Sequence, residues 1–276
     1  MNRTPVVFLH GAWLHALSWE SWADRFAGRG FLAVAPGWPG EAATVRATRA
    51  FPEAPGGLGL DTLTDHYGGI VRAFDSPPVI VGHSVGGLIA QYLLAAGWGR
   101  AAVSVAPAPI NDVPLPHCPA RPWTPDHADP GDRLVSLSPE RFRAVFADTA
   151  PAEESGRIFE RYAMPAPRRL LADLGCAGVD VARAGRGSLL LISGREDRLV
   201  PGAVTRAVSA GSTARTSARS AGDRHRTCAA RSPAVPAGPS HALLVAELAQ
   251  RVTKRGPRAD AQFGEDPVEV GADRAR

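Results

Sequence analysis

The stretch Gly82-His83-Ser84-Val85-Gly86-Gly87 lies between two apolar runs, PPVIV before it and LIAQYLLAAG after it. A serine between glycines, where a strand runs into a helix, occupies a tight turn that pushes its hydroxyl clear of the sheet. The helix that begins there adds N–H groups without intrahelical partners, which favour negative charge nearby. Ser84 is the candidate nucleophile. The plain alternative is a turn serine of no chemical role, and the apolar strand and helix on either side weigh against it.

A serine hydroxyl is a poor nucleophile unless a base takes its proton and an acid orients that base. It also needs two N–H donors for the oxyanion of a tetrahedral intermediate. The backbone N–H of Val85 is one. The segment FLHGAW near the N-terminus supplies the other, with Ala12 preferred and Trp13 as the fallback. His10 is expected to prop that loop and not to take part in chemistry. Asp197, three positions past the strand-ending Gly194, is the expected acid, with Glu196 and Asp112 as alternatives. Its plain reading is a surface carboxylate paired with Arg195 or Arg198. Two histidines qualify as the base, His225 and His241. His225 lies nearer to Asp197 in sequence, but Arg224 and Arg226 beside it disfavour an imidazolium and nothing apolar fixes its backbone. His241 follows the turn-forming AGPS and precedes ALLVAELAQRV, where Leu244, Val245, Leu248 and Val252 recur at helical spacing. His241 is the choice.

The elements that must position these residues alternate along the chain. PVVFLHG (5–11), FLAVAPG (31–37), PVIVG, AAVSVAPA and SLLLISG are continuous apolar runs that end at glycine or proline. Between them, 16–30 and 60–74 carry apolar residues at helical spacing, and GLIAQYLLAAG follows Ser84. Unbroken apolar strands separated by helices predict an α/β fold, a mostly parallel sheet covered by helices on both faces. Ligands of such sheets sit beyond the carboxyl ends of the strands, where His10-Gly11, Ser84 and the loop after Gly194 fall.

VVFLHGAW (6–13), VIVGHSVGG (79–87) and LLLISGREDRLVP (189–201) together resemble the α/β-hydrolase superfamily, in particular its serine esterases and cofactor-free haloperoxidase-like members. The resemblance implies Ser84 as nucleophile, Asp197 as acid, Ala12 and Val85 at the oxyanion hole, and no cofactor. A serine at this position sets the chain apart from the branches that use aspartate or cysteine. Relatives carry a Gly-x-Gly turn with a nearby acid after the second strand. This chain has APGWPGE there, a departure expected to touch the pocket wall and leave the mechanism alone.

The long interval between AAVSVAPAP and SLLLISG exceeds one crossover helix. Helices are expected in 138–150, capped by Ser138 with Pro139 in the first turn, and in 153–164 and 168–175. The expected organisation is a core formed by 1–109 and 186–253, a helical lid at 110–185 and a loose tail at 254–276. Trp123, Phe142, Phe146 and Phe159 would make the lid pocket apolar, and Trp13, His83 and Trp123 are the expected substrate contacts. Small to medium uncharged esters suit such a pocket better than phosphates or sugars. Residues 211–239 break the pattern, with five arginines and no Leu, Ile or Phe. That composition buries too little apolar surface to offset ordering entropy, and a disordered insertion or a frame-shifted stretch would each account for it.

Composition narrows the classes further. The chain has 276 residues, a net charge of +4 and a pI near 9.4, with its arginines scattered among acids up to residue 200. No basic face or binding motif points to nucleic acid. No apolar run is long enough for a membrane span, and the N-terminus lacks a secretory pattern, so a cytoplasmic location is expected. Cys118, Cys176 and Cys228 suit neither a disulfide framework nor a metal knuckle, and His117, Cys118 and His127 lack ligand spacing. Two functions remain: a serine hydrolase of apolar carboxylic esters acting through a Ser-His-Asp triad and an acyl-enzyme, or a non-catalytic hydrolase-fold binding protein without a positioned base.

Overall fold

The computed structural model describes residues 3–51, 56–108, 134–174, 187–194, 197, 199, 200, 202, 205 and 206. Its strands are β1 (Pro5–Leu9), β2 (Leu32–Val34), β3 (Val79–His83), β4 (Ala101–Val105), β5 (Leu134–Val135), β6 (Ala166–Pro167) and β7 (Ser188–Ile192). The helices are α1 (Glu20–Ala27), α2 (Val45–Ala50), α3 (Leu60–Arg72), α4 (Val85–Ala95), α5 (Pro139–Phe146), α6 (Ala152–Tyr162) and α7 (Arg168–Asp173), with a 3₁₀ turn at Ala16–Trp19 ahead of α1.

Five strands form one parallel sheet in the order β2-β1-β3-β4-β7. The chain moves outward from β1 to β2 and then crosses back to β3. The carboxyl ends of β1 and β3 therefore flank the point where the winding reverses, and a crevice opens there in sheets of this kind. His10 and Ser84 follow those two strand ends directly.

Side-chain alternation splits the core in two. Val6 and Phe8 of β1, Val81, Val105 and Ile192 pack with Trp19, Trp22 and Phe26 on one face. Phe8 meets the rings of Trp19, Trp22 and Phe26 at centroid distances of 5.2, 6.3 and 5.3 Å. Val7, Leu9 and Ile80 point to the other face, where Leu63 and Tyr67 of α3 and Leu88, Leu93 and Leu94 of α4 cover them. α4 is apolar almost all round because the sheet lies on one side of it and α3 on the other.

Between β4 and β7, residues 134–174 build the three helices expected from sequence, α5, α6 and α7. The Ser138 hydroxyl accepts from Arg141 N–H at 3.2 Å, and Pro139 occupies the first turn of α5. A short antiparallel pair, β5 with β6, joins the two ends of this unit and was not legible in advance. α2 was also missed. The proline-rich arm with His117, Cys118, Trp123 and His127, the alternative acids Asp112 and Glu196, Arg195 and Arg198, Cys176, Cys228, and the stretches 211–239, 240–253 and 254–276 lie outside the described residues. Among those described, no helix is long and apolar enough to cross a membrane, and no cluster of three metal-ligating side chains occurs.

The tightest packing falls where β1, β3 and α4 converge. A Cβ on Gly86 would run into the carbonyls of Leu9 and His10, and one on Gly82 would run into the Gly86 carbonyl. The obstacles are backbone atoms, which no rotamer change can move aside. Gly86→Ala should therefore cost more than about 3 kcal/mol of unfolding free energy by urea denaturation, or leave no cooperative transition. Gly69→Ala, with open space around its Cβ in α3, should be neutral or mildly stabilising.

Candidate active site

Ser84 is the last residue before α4 and has φ 52° and ψ −116°. That is a left-handed φ that side-chain-bearing residues avoid, costing on the order of 1–3 kcal/mol, and it persists only when the surroundings fix it. They do so through the backbone. Ser84 N–H donates to the Val105 carbonyl at 3.0 Å, and the Ser84 carbonyl accepts from Leu88 N–H at 3.0 Å and Ala108 N–H at 2.9 Å. Ala106, just past β4, also has a positive φ of 41° and donates its N–H to the Ile192 carbonyl at 2.7 Å. β4 and β7 thus brace the turn that carries the serine.

Gly11 lies against this turn. A Cβ there would come 2.9 Å from the Ser84 Cβ and 3.1 Å from His83 Nδ1. The loop from Gly11 to His15 and the turn at His83–Val85 are therefore neighbours. The Val85 N–H belongs to the first turn of α4, where it lacks an intrahelical acceptor. Ala12 and Trp13 are both buried, and Trp13 holds a left-handed φ of 63°.

Residues 162–164, at the end of α6, clamp the outer side of this loop. Met164 N–H donates to the Trp13 carbonyl at 3.0 Å, His15 N–H donates to the Tyr162 carbonyl at 2.9 Å, and Leu14 bridges Ala163. The Trp13 indole N–H donates to the Val135 carbonyl at 3.0 Å, and its ring meets Phe146 edge-on. A cavity of about 390 Å³ is lined by Trp13, Arg49, Leu137, Phe142, Phe159 and Met164, among others. Arg49 does not make it an anion site. Its guanidinium donates to the Ala163 and Phe159 carbonyls at 2.8 and 2.7 Å, pairs with Glu160 at 3.0 Å and lies over the Phe159 ring. Those carbonyls sit at the end of α6, where a helix favours a cation.

Asp197 sits beyond β7. Its Oδ1 accepts from Leu199 N–H at 2.9 Å and Val200 N–H at 2.8 Å. Burial pushes its carboxyl up to about 6, against the downward pull of those two N–H donors and with a further push from the charge of Asp148. The sequence pairing of Asp197 with Arg195 or Arg198, and both candidate bases, His225 and His241, lie outside the described residues, as does Trp123. The described site therefore brings together Gly11, His83, Ser84 and Val85, with Trp13 on the adjoining loop.

Sequence comparison adds the family. A profile of the Alpha/beta hydrolase family matches residues 6–255, most of the chain. The chain belongs to the alpha/beta hydrolase family. Solved structures with the same fold include a pyrethroid hydrolase from Sphingobium faniae JZ-2, at 17% identity over 92% of this chain and 98% of that one with a TM-score of 0.59. An extracellular α/β-hydrolase from a Paenibacillus species matches at 15% identity over 90% and 98%, TM-score 0.60. A methylesterase from Arabidopsis matches at 18% identity over 76% and 85%, TM-score 0.55. No curated protein gives a significant sequence match. Membership agrees with the resemblance carried by VVFLHGAW and VIVGHSVGG.

No residue of APGWPGE is among the described residues that line the cavity beside Trp13. Glu41 instead reaches behind the Gly11–His15 loop, because Gly37 has no side chain to fill that space: a Cβ there would stand 2.9 Å from the Glu41 Cδ. Sequence reasoning passed over Glu41, and its only signal was an acid after the second strand next to an unusual glycine spacing.

The raised pKa of Asp197 gives a stability test with a defined sign. Its unfolded value is near 3.8 and its folded value about 6. The protonated form is favoured in the fold, so the stability linked to this group is present below pH 4 and is lost as pH rises through 6. Asp197→Asn removes the charge, so its unfolding free energy minus that of the wild type should rise by roughly 1–3 kcal/mol between pH 4 and pH 7. Urea titrations at both pH values measure it. A difference that falls with pH would show that a cation holds the carboxylate charged.

Proposed function

We propose that the chain hydrolyses small to medium, uncharged carboxylic esters with Ser84 as the nucleophile. The observation that carries this reading is the Ser84 backbone: a left-handed residue at the head of α4, braced by β4 and pressed against Gly11. Strain held at a turn that also presents a hydroxyl supports a chemical role for that serine.

The Ser84 hydroxyl attacks the ester carbonyl while His241 takes its proton. The carbonyl oxygen, now negative, is held by the N–H groups of Ala12 and Val85, donors of a kind each worth about 2.7–4 kcal/mol of barrier. Collapse of the tetrahedral intermediate expels the alcohol, which receives the proton from His241 and leaves an acyl-Ser84. Water, deprotonated by His241, then attacks the acyl carbonyl, and release of the acid restores the serine. Asp197 fixes the tautomer and orientation of the histidine. Its position after β7 and its two backbone donors support that role, since they hold one carboxylate oxygen fixed.

The cavity beside Trp13 supports this substrate class. Its described wall is mainly aromatic and aliphatic, and Arg49, the arginine among those residues, is committed to the Phe159 and Ala163 carbonyls and Glu160. Among the described residues, an anionic acyl group would find no available cation there. Uncharged acyl or alcohol groups fit it, with Trp13, His83 and Trp123 as the proposed contacts.

Ser84→Ala should abolish hydrolysis of p-nitrophenyl butyrate, losing at least about a thousandfold in kcat with an unchanged circular dichroism spectrum. Retention of more than about a tenth of the activity would remove Ser84 from the mechanism. His241→Ala should lose as much, and His225→Ala little. The reverse pattern would move the base to His225. Negligible turnover by the wild type itself would favour the non-catalytic reading.

A further inference from the structure

The Gly11–His15 loop is gripped at both ends by one carboxylate. Glu41 is buried, its side chain only 1% exposed. Its Oε1 accepts from Ala16 N–H at 2.8 Å and stands 3.3 Å from His15 Nε2. Its Oε2 accepts from Trp38 N–H at 3.1 Å and stands 3.1 Å from His10 Nε2. The His10 contact is close but poorly aligned for a hydrogen bond, so its pull on Glu41 is chiefly electrostatic. Two of these contacts, His15 and Ala16, lie at the far end of the loop, and His10 precedes it.

The tautomer of His15 follows from its partners. Nδ1 accepts from Leu17 N–H at 3.1 Å, which leaves Nε2 to carry a proton toward the Ala42 carbonyl at 3.0 Å and toward Glu41. His10 lies against the Trp38 ring with centroids 4.6 Å apart. Burial alone would push the Glu41 carboxyl up, yet the charge of His10, the Ala16 N–H and the charge of His15 bring it down to about 2. The charge is felt further off: burial first, then Glu41, raise the Tyr67 hydroxyl well above its usual range.

An isolated buried carboxylate is costly unless partners surround it, so two backbone N–H donors and two imidazoles converging on one side chain make a rigid junction. The loop it fixes has a residue with φ 63° and carries the Ala12 N–H. We infer that Glu41 is the positioning residue of the oxyanion hole, holding the Ala12 N–H where the developing negative charge of the ester carbonyl will lie. This rests on the proposed ester hydrolysis, and it goes beyond it by assigning a role to a residue that touches no substrate.

Glu41→Gln tests it, because an amide is nearly isosteric but can accept on only one side. Its NH₂ must face either the Ala16 or the Trp38 N–H. Positioning predicts a kcat for p-nitrophenyl butyrate at least about tenfold lower, with KM changed by less than about threefold, since the lost contact acts only in the transition state. Amide hydrogen exchange supplies a readout independent of turnover. Peptides spanning 10–18 should exchange at least about tenfold faster in the variant, while those spanning 85–95 keep the wild-type rate. Glu41→Asp, which keeps the charge but is one methylene too short to reach all four partners, should show the same pattern and replaces the glutamine variant if that one fails to fold. Unchanged exchange at 10–18 overturns the inference, as does unchanged kcat in a wild type that turns over. If the wild type has no Ser84-dependent turnover, the ester-hydrolysis reading fails while exchange at 10–18 still decides the role of Glu41.

Discussion

The backbone of α4 passes so close to the ends of β1 and β3 that no side chain fits at residue 86, where a Cβ would meet the Leu9 carbonyl. Everything at the site follows from that approach. Because the helix starts against the strands, the residue joining β3 to α4 has no room for an ordinary turn. It takes a left-handed conformation, which Val105, Leu88 and Ala108 then hold by hydrogen bonds. Because β1 ends at the same place, the loop after it starts at Gly11, against the Ser84 Cβ. The serine and the loop proposed to stabilise its oxyanion are neighbours by packing alone.

That loop would be the weak part of the arrangement, since loops carry unpaired backbone groups and strain. It is held from two sides. On the outside, residues 162–164 supply the carbonyl of Tyr162, the N–H of Met164 and a bridge at Ala163, and Arg49 ties the end of α6 to α2. On the inside, Glu41 draws His10, His15 and Ala16 to a single point. The segment that carries α6 therefore contacts the Gly11–His15 loop as well as the cavity. α6 carries Arg161 and Tyr162, which both reach Glu20 and fasten α6 to α1.

The parts legible in the sequence are those whose causes are local. The turn at Ser84 was readable because its glycines stand beside it and its strand and helix flank it. The cap of α5 was readable from Ser138 and Pro139 for the same reason. α2 was not, because VRATRA is six residues with no apolar period, and it forms where Thr44 caps it and buried Val45 and Thr48 anchor it. The β5–β6 pair was not, since two-residue strands carry no alternation. Glu41 was out of reach for a different reason: its partners at positions 10, 15 and 16 lie far away in the chain, and nothing in APGWPGE announces them. His10 was expected to prop its loop, and its contact with Glu41 came only from the structure.

The central claim is that the strained serine at the head of α4 has an activated hydroxyl. Reaction with a fluorophosphonate tests it most directly, since phosphonylation requires a deprotonated serine oxygen and donors for the developing oxyanion, and no particular acyl group. Intact-mass and peptide mass spectrometry after incubation with the full chain should show one adduct per molecule, located on Ser84. An unmodified Ser84 in folded protein, at probe concentrations that label other serine hydrolases to completion, would contradict the account.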